Sequence, residues 1–449
     1  MNYSIWKKKN IEEGADNMYY FIGIKGTGMS ALAIILKQLD NYVSGSDVDK
    51  HFFTEEGLIK NNIPVYVYNE NNIKPGFTII KGASIKDDNV ELVKARELGL
   101  KILEYNEMVG LLTKDFMTIC VAGCHGKTTT TNMLSLALKD QGINYLIGDG
   151  TGSALRENKY FALESCEYKR HFLEYTPYYA LITNIDLDHV DYYKDMDDLV
   201  KAYTDFTNKA TKMAVLYGDD PYTRQMKLKV DAIYYGLEED NDIRATNIEY
   251  KSDGISFDVN AYGHFDLPIY GKHQLLDALA VITICYLEKI DYKEVLNNLK
   301  EFKGAKRRFA ETIVGDNIII DDYAHHPNEI KATIDAIKQK YPNKSIVTIF
   351  QPHTFTRTKE FANDYVNIFK KVDKAYILDI HPARESQDDY PEITSDMIIN
   401  KLANGYHINI DEAKKLADNN NAVFAFMSPN DISKLEKDLE ELLKNTNKK

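Results

Sequence analysis

The stretch Gly123-Cys124-His125-Gly126-Lys127-Thr128-Thr129 limits what this chain can fold into more than any other. An apolar run, Phe116 to Ala122, precedes it and reads as a strand, and Thr130 to Lys139 continues as a helix. Successive backbone amides and the positive end of a helix surround a polyphosphate at such a turn, with Lys127 reaching the outer phosphates and Thr128 ligating a magnesium ion. The chemistry implied is that of a nucleoside triphosphate with Mg2+. A full Walker A pattern needs glycine at position 121, where this chain has Val121. The order of strand, Gly-Lys-Thr-Thr and helix nevertheless argues against an incidental turn.

The 449 residues are too many for one ordinary core and predict two or three domains. A formal charge of -13 argues against nucleic acid as a partner, because an acidic surface repels a phosphate backbone. Cys120, Cys124, Cys166 and Cys285 are scattered, without paired metal spacing, and read as reduced thiols of a cytoplasmic protein. Met1 to Met18 mixes charges with aromatics and has no apolar signal segment. No later run is long and uncharged enough to insert in a bilayer.

A second glycine turn lies near the start. The strand beginning at Tyr19 runs into Gly23, Gly26 and Gly28, and Met29 to Leu39 takes up helical spacing. Gly26, Gly28 and Ala31 match the dinucleotide fingerprint, while Ser46 and Asp47 follow a short strand, Tyr42 to Ser44, with Asp47 at the spacing of a ribose-binding acid. The residues alone leave NAD, FAD and a nucleotide sugar open. Strands at Pro64 to Tyr68, Phe77 to Lys81 and Lys101 to Leu103, with a helix at Asn89 to Leu98, predict an open α/β sheet.

Beyond the phosphate loop, two short apolar strands end in polar groups, as parallel sheets do where they present ligand groups. Glu164, Glu167 and His171 follow Tyr160 to Glu164; Asn184, Asp186, Asp188, His189 and Asp191 follow Tyr179 to Thr183. Magnesium prefers oxygen ligands, which makes Glu167 the natural partner of Thr128. Gly271 introduces a helix, Lys272 to Leu287, with His273, Gln274 and Asp277 near its start. Further on, three predicted strands end in His, Arg and Asp groups. Ile318 to Ile320 leads to Asp322, His325, His326 and Pro327, Ser345 to Phe350 to His353 and Arg357, and Lys374 to Asp379 to His381 and Arg384. Such an edge resembles the rim of a cleft in which arginines fix carboxylates or phosphates.

Taken in order, these motifs resemble the Mur ligase family. The similar segments are Phe21 to Ser30, Gly123 to Thr129, Thr183 to His189, Lys306-Arg307-Arg308-Phe309, Asp322 to Pro327 and Gln351-Pro352-His353. The resemblance implies a three-domain α/β fold: an N-terminal Rossmann-like domain for a UDP-sugar over 1–106, a central mononucleotide-binding ATPase domain over 107–307, and a C-terminal Rossmann-like ligase domain over 308–449. It turns the first glycine turn into a UDP-N-acetylmuramate site made by Gly26, Thr27, Gly28, Met29, Ser30, Ser46 and Asp47.

The implied reaction is ATP-dependent ligation of L-alanine to the lactyl carboxylate of UDP-N-acetylmuramate through an acyl phosphate. It belongs to peptidoglycan precursor synthesis, and so to cell-wall biogenesis, cell shape and division. Lys127, Glu167, His189 and Asn184 are the implied catalytic set, and Thr128, Glu167 and His189 the implied magnesium ligands. Gly123 to Thr129, His273, Arg308 and Asp322 are the implied ATP contacts, with His325, His326, His353, Arg357, His381 and Arg384 in the substrate cleft. The quaternary state is expected to be a monomer or a homodimer.

Four places depart from the family pattern. Cys124 stands where threonine or alanine is common, Glu164-Ser165-Cys166-Glu167 is less acidic than usual, Gln274 and Asp277 replace asparagines, and Met427-Ser428-Pro429-Asn430-Asp431 replaces a Gly-Ala-Gly-Asp turn. Two further functions compete with alanine ligation: a murein-recycling ligase that attaches a preformed peptide, and an ATP-binding cell-wall scaffold without turnover. A nicotinamide-dependent oxidoreductase would leave the phosphate loop without a purpose.

Overall fold

The computed structural model describes residues 17–187, 189, 192–260 and 262–446. Asp188, Asp191 and the segment 1–16, which carries the expectation of no signal peptide, lie outside the described residues. The chain divides into two compact units. One comprises Met1–Thr246, Asp258–Gly263 and Leu276–Glu301; the other comprises Asn247–Phe257, His264–Leu275 and Phe302–Lys449.

Three sheets organise the α/β fold. In the first, β1 (Met18–Ile22), β2 (Tyr42–Asp47), β3 (Val65–Val67), β4 (Phe77–Lys81) and β5 (Ile102–Glu104) run parallel in the order β3-β2-β1-β4-β5. Strand order reverses beside β1, so the glycine turn after Ile22 opens at the crevice where such sheets bind ligands. β2 runs on to Asp47, past the expected end at Ser44. Gly45 permits this: a Cβ there would sit 2.5 Å from the Phe21 carbonyl oxygen.

The second sheet contains β6 (Met117–Ala122), β7 (Ile143–Leu146), β8 (Gly152–Ser153), β9 (Tyr160–Glu164), β10 (Tyr179–Ile182), β11 (Met213–Tyr217), β12 (Ala232–Gly236), β13 (Ile243–Lys251), β14 (Gly254–Val259) and β15 (Gly263–Leu267). Their order is β15-β14-β13-β12-β11-β10-β6-β9-β7-β8. β6 is thus flanked by β10 and β9, with Ala122 opposite Ile182 and Val121 opposite Glu164. That register brings three loops to one strand end. The helix after the phosphate loop begins at Lys127, three residues before the expected Thr130, so the threonine run is its first turn.

In the third sheet, β16 (Ala310–Val314), β17 (Asn317–Asp322), β18 (Ser345–Phe350), β19 (Lys374–Ile377), β20 (Gly405–His407) and β21 (Ala422–Met427) follow the order β16-β17-β21-β18-β19-β20. All pair in parallel except β16 with β17. Asp322 and Phe350 both lie opposite Met427, and Phe350 lies opposite Ile377. The loops that follow these strands therefore gather at one edge.

Beside the second sheet, helix Met196–Thr207 is started by Asp195, whose carboxylate accepts from the Asp198 amide at 2.9 Å. It buries Leu199, Ala202, Tyr203 and Phe206. Phe206 stacks on Phe172 with ring centroids 4.5 Å apart, and Tyr203 meets Phe172 edge-on. Replacing Phe206 by alanine is expected to lower unfolding free energy by about 3–5 kcal/mol. Ile59→Ala, at a side chain 71% exposed, should change it by less than about 0.5 kcal/mol. Urea denaturation checks both values.

Candidate active site

The phosphate loop owes its shape to two glycines and an asparagine. Gly123 has φ +140°, and a Cβ there would fall 2.0 Å from Thr183 Oγ1; Gly126 has φ +82°, and its Cβ would fall 2.3 Å from Asp277 Oδ1. Larger residues are excluded at both positions. Asn184 grips the backbone of His125 from both sides: its Oδ1 accepts from the His125 amide and its Nδ2 donates to the His125 carbonyl, each at 2.9 Å. The Thr183 hydroxyl donates to the same carbonyl at 2.6 Å. Asn184 thus shapes the loop through main-chain contacts.

Lys127 turns its ammonium back onto the loop, donating to the carbonyls of Gly123 and Cys124. It also pairs with Glu167 at 3.0 Å. The Glu167 side chain is only 1% exposed, and its other oxygen lies 3.3 Å from His189 Nε2. Burial raises the Glu167 pKa, but Lys127 and the His189 hydrogen bond outweigh it and hold the carboxyl below its usual range. Burial likewise pulls Lys127 down, and Glu167 more than reverses this. His189 is held at φ +52° with its ring 4.8 Å from that of Tyr168.

Thr128 faces a different acid. Its hydroxyl donates to Glu164 Oε1 at 3.1 Å, while Glu164 Oε2 accepts from the Gly148 amide at 2.7 Å. The sequence pattern pairs Thr128 with Glu167; the structure brings it to Glu164 and gives Glu167 to Lys127 and His189. Sequence reasoning names Glu164 at the strand end but assigns the acid's role to Glu167 alone. The only sequence signal of Glu164 was its place at the end of the apolar run Tyr160 to Glu164; its pairing opposite Val121 is visible only in the structure.

In the first sheet, Gly26 caps helix Thr27–Gln38. Gly26 is exposed and Thr27 and Gly28 are half-buried at the turn, whereas Met29, Ser30 and Ser46 are buried. Ser30 donates its hydroxyl to the Thr27 carbonyl at 3.0 Å. Asp47 accepts from the Lys25 amide at 2.8 Å, tying the turn to the end of β2. The Tyr105 ring covers Gly28 so closely that a Cβ would lie 3.0 Å from its hydroxyl.

The second unit holds the remaining candidates. Asp322 is buried, with Oδ1 accepting from the Ala324 amide at 2.8 Å and Oδ2 from the Phe309 amide at 3.0 Å. Burial pushes its pKa up to about 6, against the pull of Arg308. Arg308 lies over the Tyr323 ring, 4.6 Å from its centroid. His326 is buried at the start of helix Pro327–Lys340 and accepts from the Asn328 amide. His325 lies 3.3 Å from Glu329. The His353 ring stands beside those of His325 and His381, at 6.0 and 5.8 Å. Burial, then the positive charges of His325, Arg357, His381 and Arg384, lower the His353 pKa to about 4. Its buried Nδ1 has no hydrogen-bond partner, nor has that of His273. Neutral His353 beside two arginines suits an anionic group better than a cation.

Comparison with known proteins accounts for all three sheets. The Mur ligase family, catalytic domain, matches residues 18–117, the Mur ligase middle domain 121–285, and the Mur ligase, glutamate ligase domain, 307–432. The chain belongs to the Mur ligase family. Among its relatives, the UDP-N-acetylmuramate–L-alanine ligase of Lacticaseibacillus casei is 44% identical over 431 residues, covering 95% of this chain and 98% of that one. The ligase of the same name from Lactococcus lactis is 43% identical over 95% of this chain and 98% of its own. Among solved structures, the UDP-N-acetylmuramate–alanine ligase of Thermotoga maritima superposes with TM-score 0.79 at 25% identity, covering 96% of this chain and all of that one. The murein peptide ligase of Psychrobacter arcticus follows at 0.69 and 20% identity, over 95% and 99% of the two chains. Mur ligases are ATP-dependent, and the solved structure of one from Thermotoga maritima contains ADP.

Within this Mur ligase the departures from the family pattern have local accommodations. The Cys124 thiol donates to the Asp186 carbonyl at 2.8 Å and accepts from the Asp186 amide at 3.1 Å, bracing the loop from the β10 side. Asp277 accepts from the Thr130 hydroxyl at 3.1 Å. Arg307 holds the Ser428–Asp431 turn, donating to the carbonyls of Ser428 and Asn430 at 2.7 and 2.9 Å.

Asp322 generates a pH prediction. Its folded pKa of about 6 exceeds an unfolded value of about 3.9, so its stabilising effect is complete below the unfolded value and is lost as pH rises through 6. From pH 4 to 7 the wild type should lose roughly 2–3 kcal/mol relative to Asp322→Asn. Urea midpoints of the two proteins across that range test it.

Proposed function

We propose that this chain joins L-alanine to the lactyl carboxylate of UDP-N-acetylmuramate, converting ATP to ADP and phosphate, as a cytoplasmic step of peptidoglycan precursor synthesis. The observation that carries this function is the continuity of 44% identity along 95% of the chain with enzymes of that name, coinciding with a phosphate-loop lysine paired to a buried glutamate. A carboxylate is a poor electrophile, so its oxygen first attacks the γ-phosphorus of ATP and ADP leaves. The neutral amine of alanine then attacks the acyl phosphate carbon, loses a proton, and expels phosphate to form the amide.

Lys127 neutralises charge on the transferring phosphoryl group, and the amides of 123–129 orient the polyphosphate. Thr128 and Glu164 offer hard oxygen donors 3.1 Å apart, a set that fits magnesium, with Glu167 and His189 adjoining. Bound there, magnesium would supply charge that neutralises the polyphosphate. Glu167 keeps Lys127 charged and aimed, and His189 orients Glu167. Gly26 to Gly28 and Asp47 receive the UDP-sugar. Arg308 contacts ATP, with Asp322 and His273 shaping the surrounding loops. His325, His326, His353, Arg357, His381 and Arg384 form the amino-substrate side, where the arginines meet a carboxylate. No helix among the described residues is long and apolar enough to cross a membrane.

Purified protein should release phosphate only with UDP-N-acetylmuramate present, and faster with L-alanine than with glycine, L-serine or a tripeptide. Turnover with the tripeptide alone would instead identify a peptide-recycling ligase, and nucleotide binding without turnover a scaffold. Lys127→Ala should reduce turnover by roughly 10³-fold while UDP-sugar binding persists. Glu164→Gln should raise the magnesium concentration needed for half-maximal rate more than Glu167→Gln does, measured by magnesium titration at saturating ATP. Equal shifts would count against Glu164 as the metal-side acid.

A further inference from the structure

Glu91 is fully buried in the first sheet's domain, yet no Lys, Arg or His among the described residues forms an ion pair with it. Burying a lone carboxylate is costly unless hydrogen bonds replace its water. Here four donors do so. Oε1 accepts from the Tyr20 hydroxyl at 2.9 Å, the Asn69 amide at 3.1 Å and Asn72 Nδ2 at 2.8 Å, while Oε2 accepts from the Ser46 hydroxyl. Glu91 sits in the first turn of helix Val90–Glu97, where the positive end of the helix favours a negative charge.

These donors come from separate pieces of the same domain: Tyr20 from β1, Ser46 from β2, and Asn69 and Asn72 from the loop after β3. Ser46 is the consequential one. Its carbonyl accepts from the amides of both Gly23 and Ile24, at 2.9 and 3.0 Å, which are the first two residues of the glycine turn. Its neighbour Asp47 accepts from the Lys25 amide. The turn is thus hung from the end of β2, and the end of β2 is fastened to Glu91. Asn72 extends the fastening to β3 by donating also to the Val67 carbonyl at 2.9 Å.

The structure assigns Glu91 as a positioning residue for the UDP-sugar: through Ser46 it fixes the height and orientation of the 23–28 turn and of Asp47, without touching the ligand itself. This assignment rests on the function proposed above. A carboxylate is required because each oxygen must accept. In a glutamine, one acceptor becomes a donor facing the Ser46 hydroxyl, which then has to reverse, and the segment below the turn loses its strongest tie.

The test uses the full chain, with Glu91→Gln and Asn72→Ala as variants. The expected result is a KM for UDP-N-acetylmuramate raised roughly tenfold in Glu91→Gln and several-fold in Asn72→Ala, the size of a lost hydrogen bond to a charged group. Saturating kcat and the KM for ATP should stay within about twofold. A purely structural role predicts the opposite split, with kcat falling in step with the folded fraction and the KM unchanged, and that result overturns the assignment. If Glu91→Gln does not fold, an unchanged UDP-sugar KM in Asn72→Ala overturns it alone. Calorimetric titration of the wild type with UDP-N-acetylmuramate separates the two levels: absence of binding there removes the proposed function, and this assignment with it, whereas binding with unaltered variants removes only the role of Glu91.

Discussion

The ion pair between partly exposed Lys127 and buried Glu167 at a strand end sets the terms for the loops of the second sheet. Lys127 and Glu167 would each be costly to bury alone, and their attraction repays that cost only because carbonyls of the phosphate loop and the His189 ring complete the hydrogen bonding. The pair therefore demands its surroundings. Lys127 must begin a helix at the end of β6, Glu167 must follow β9, and His189 must follow β10, so the parallel register of these three strands is a condition for the ion pair to exist. The Lys127 ammonium is thus largely covered and held in place in advance, the condition under which fixed charges act most strongly.

The glycine turn of the first sheet is supported in a different currency. Main-chain amides hang from Ser46, Ser46 hangs from a carboxylate with four donors, and Lys25 of the turn itself pairs with Glu55 at 2.9 Å. The two glycine turns are also linked by a shared segment. The segment between β7 and β9 packs on the helix that follows the first turn: Gly152 would place a Cβ 2.8 Å from the Ala31 carbonyl oxygen, and Ala154 donates its amide to Gln38 at 2.8 Å. The same segment supplies the Gly148 amide to Glu164. One segment thus contacts both the helix after the first turn and the acid beside Thr128.

Chemistry carried by consecutive residues was legible in the sequence, and chemistry settled by register was not. Gly123, Gly126, Lys127 and Thr128 announce a phosphate loop because their spacing is itself the site, and the three-domain α/β order follows from the motifs around it. Glu164 and Glu167 are alike on paper. Only the pairing of Val121 with Glu164 tells which of them meets the threonine. Ser46 reads as a ligand contact from its position beside Asp47, yet its side chain faces inward and its carbonyl carries the turn. Ala422 to Met427 is buried at all six positions, and such a continuous apolar run without alternation cannot be told from a buried helix segment by periodicity alone.

That last strand bears on how the protein is made. β21 lies between β17 and β18, so the third sheet lacks its middle until residues 422–427 have been synthesised. The first two sheets draw on residues that leave the ribosome earlier and can close as they emerge. During the remaining elongation, β17 and β18 present unpaired edges to each other and to the rest of the cell. The phosphate loop at the second sheet is therefore complete before the third sheet exists, and a nascent chain interrupted before Ala422 keeps that loop while lacking the strand that joins β17 to β18.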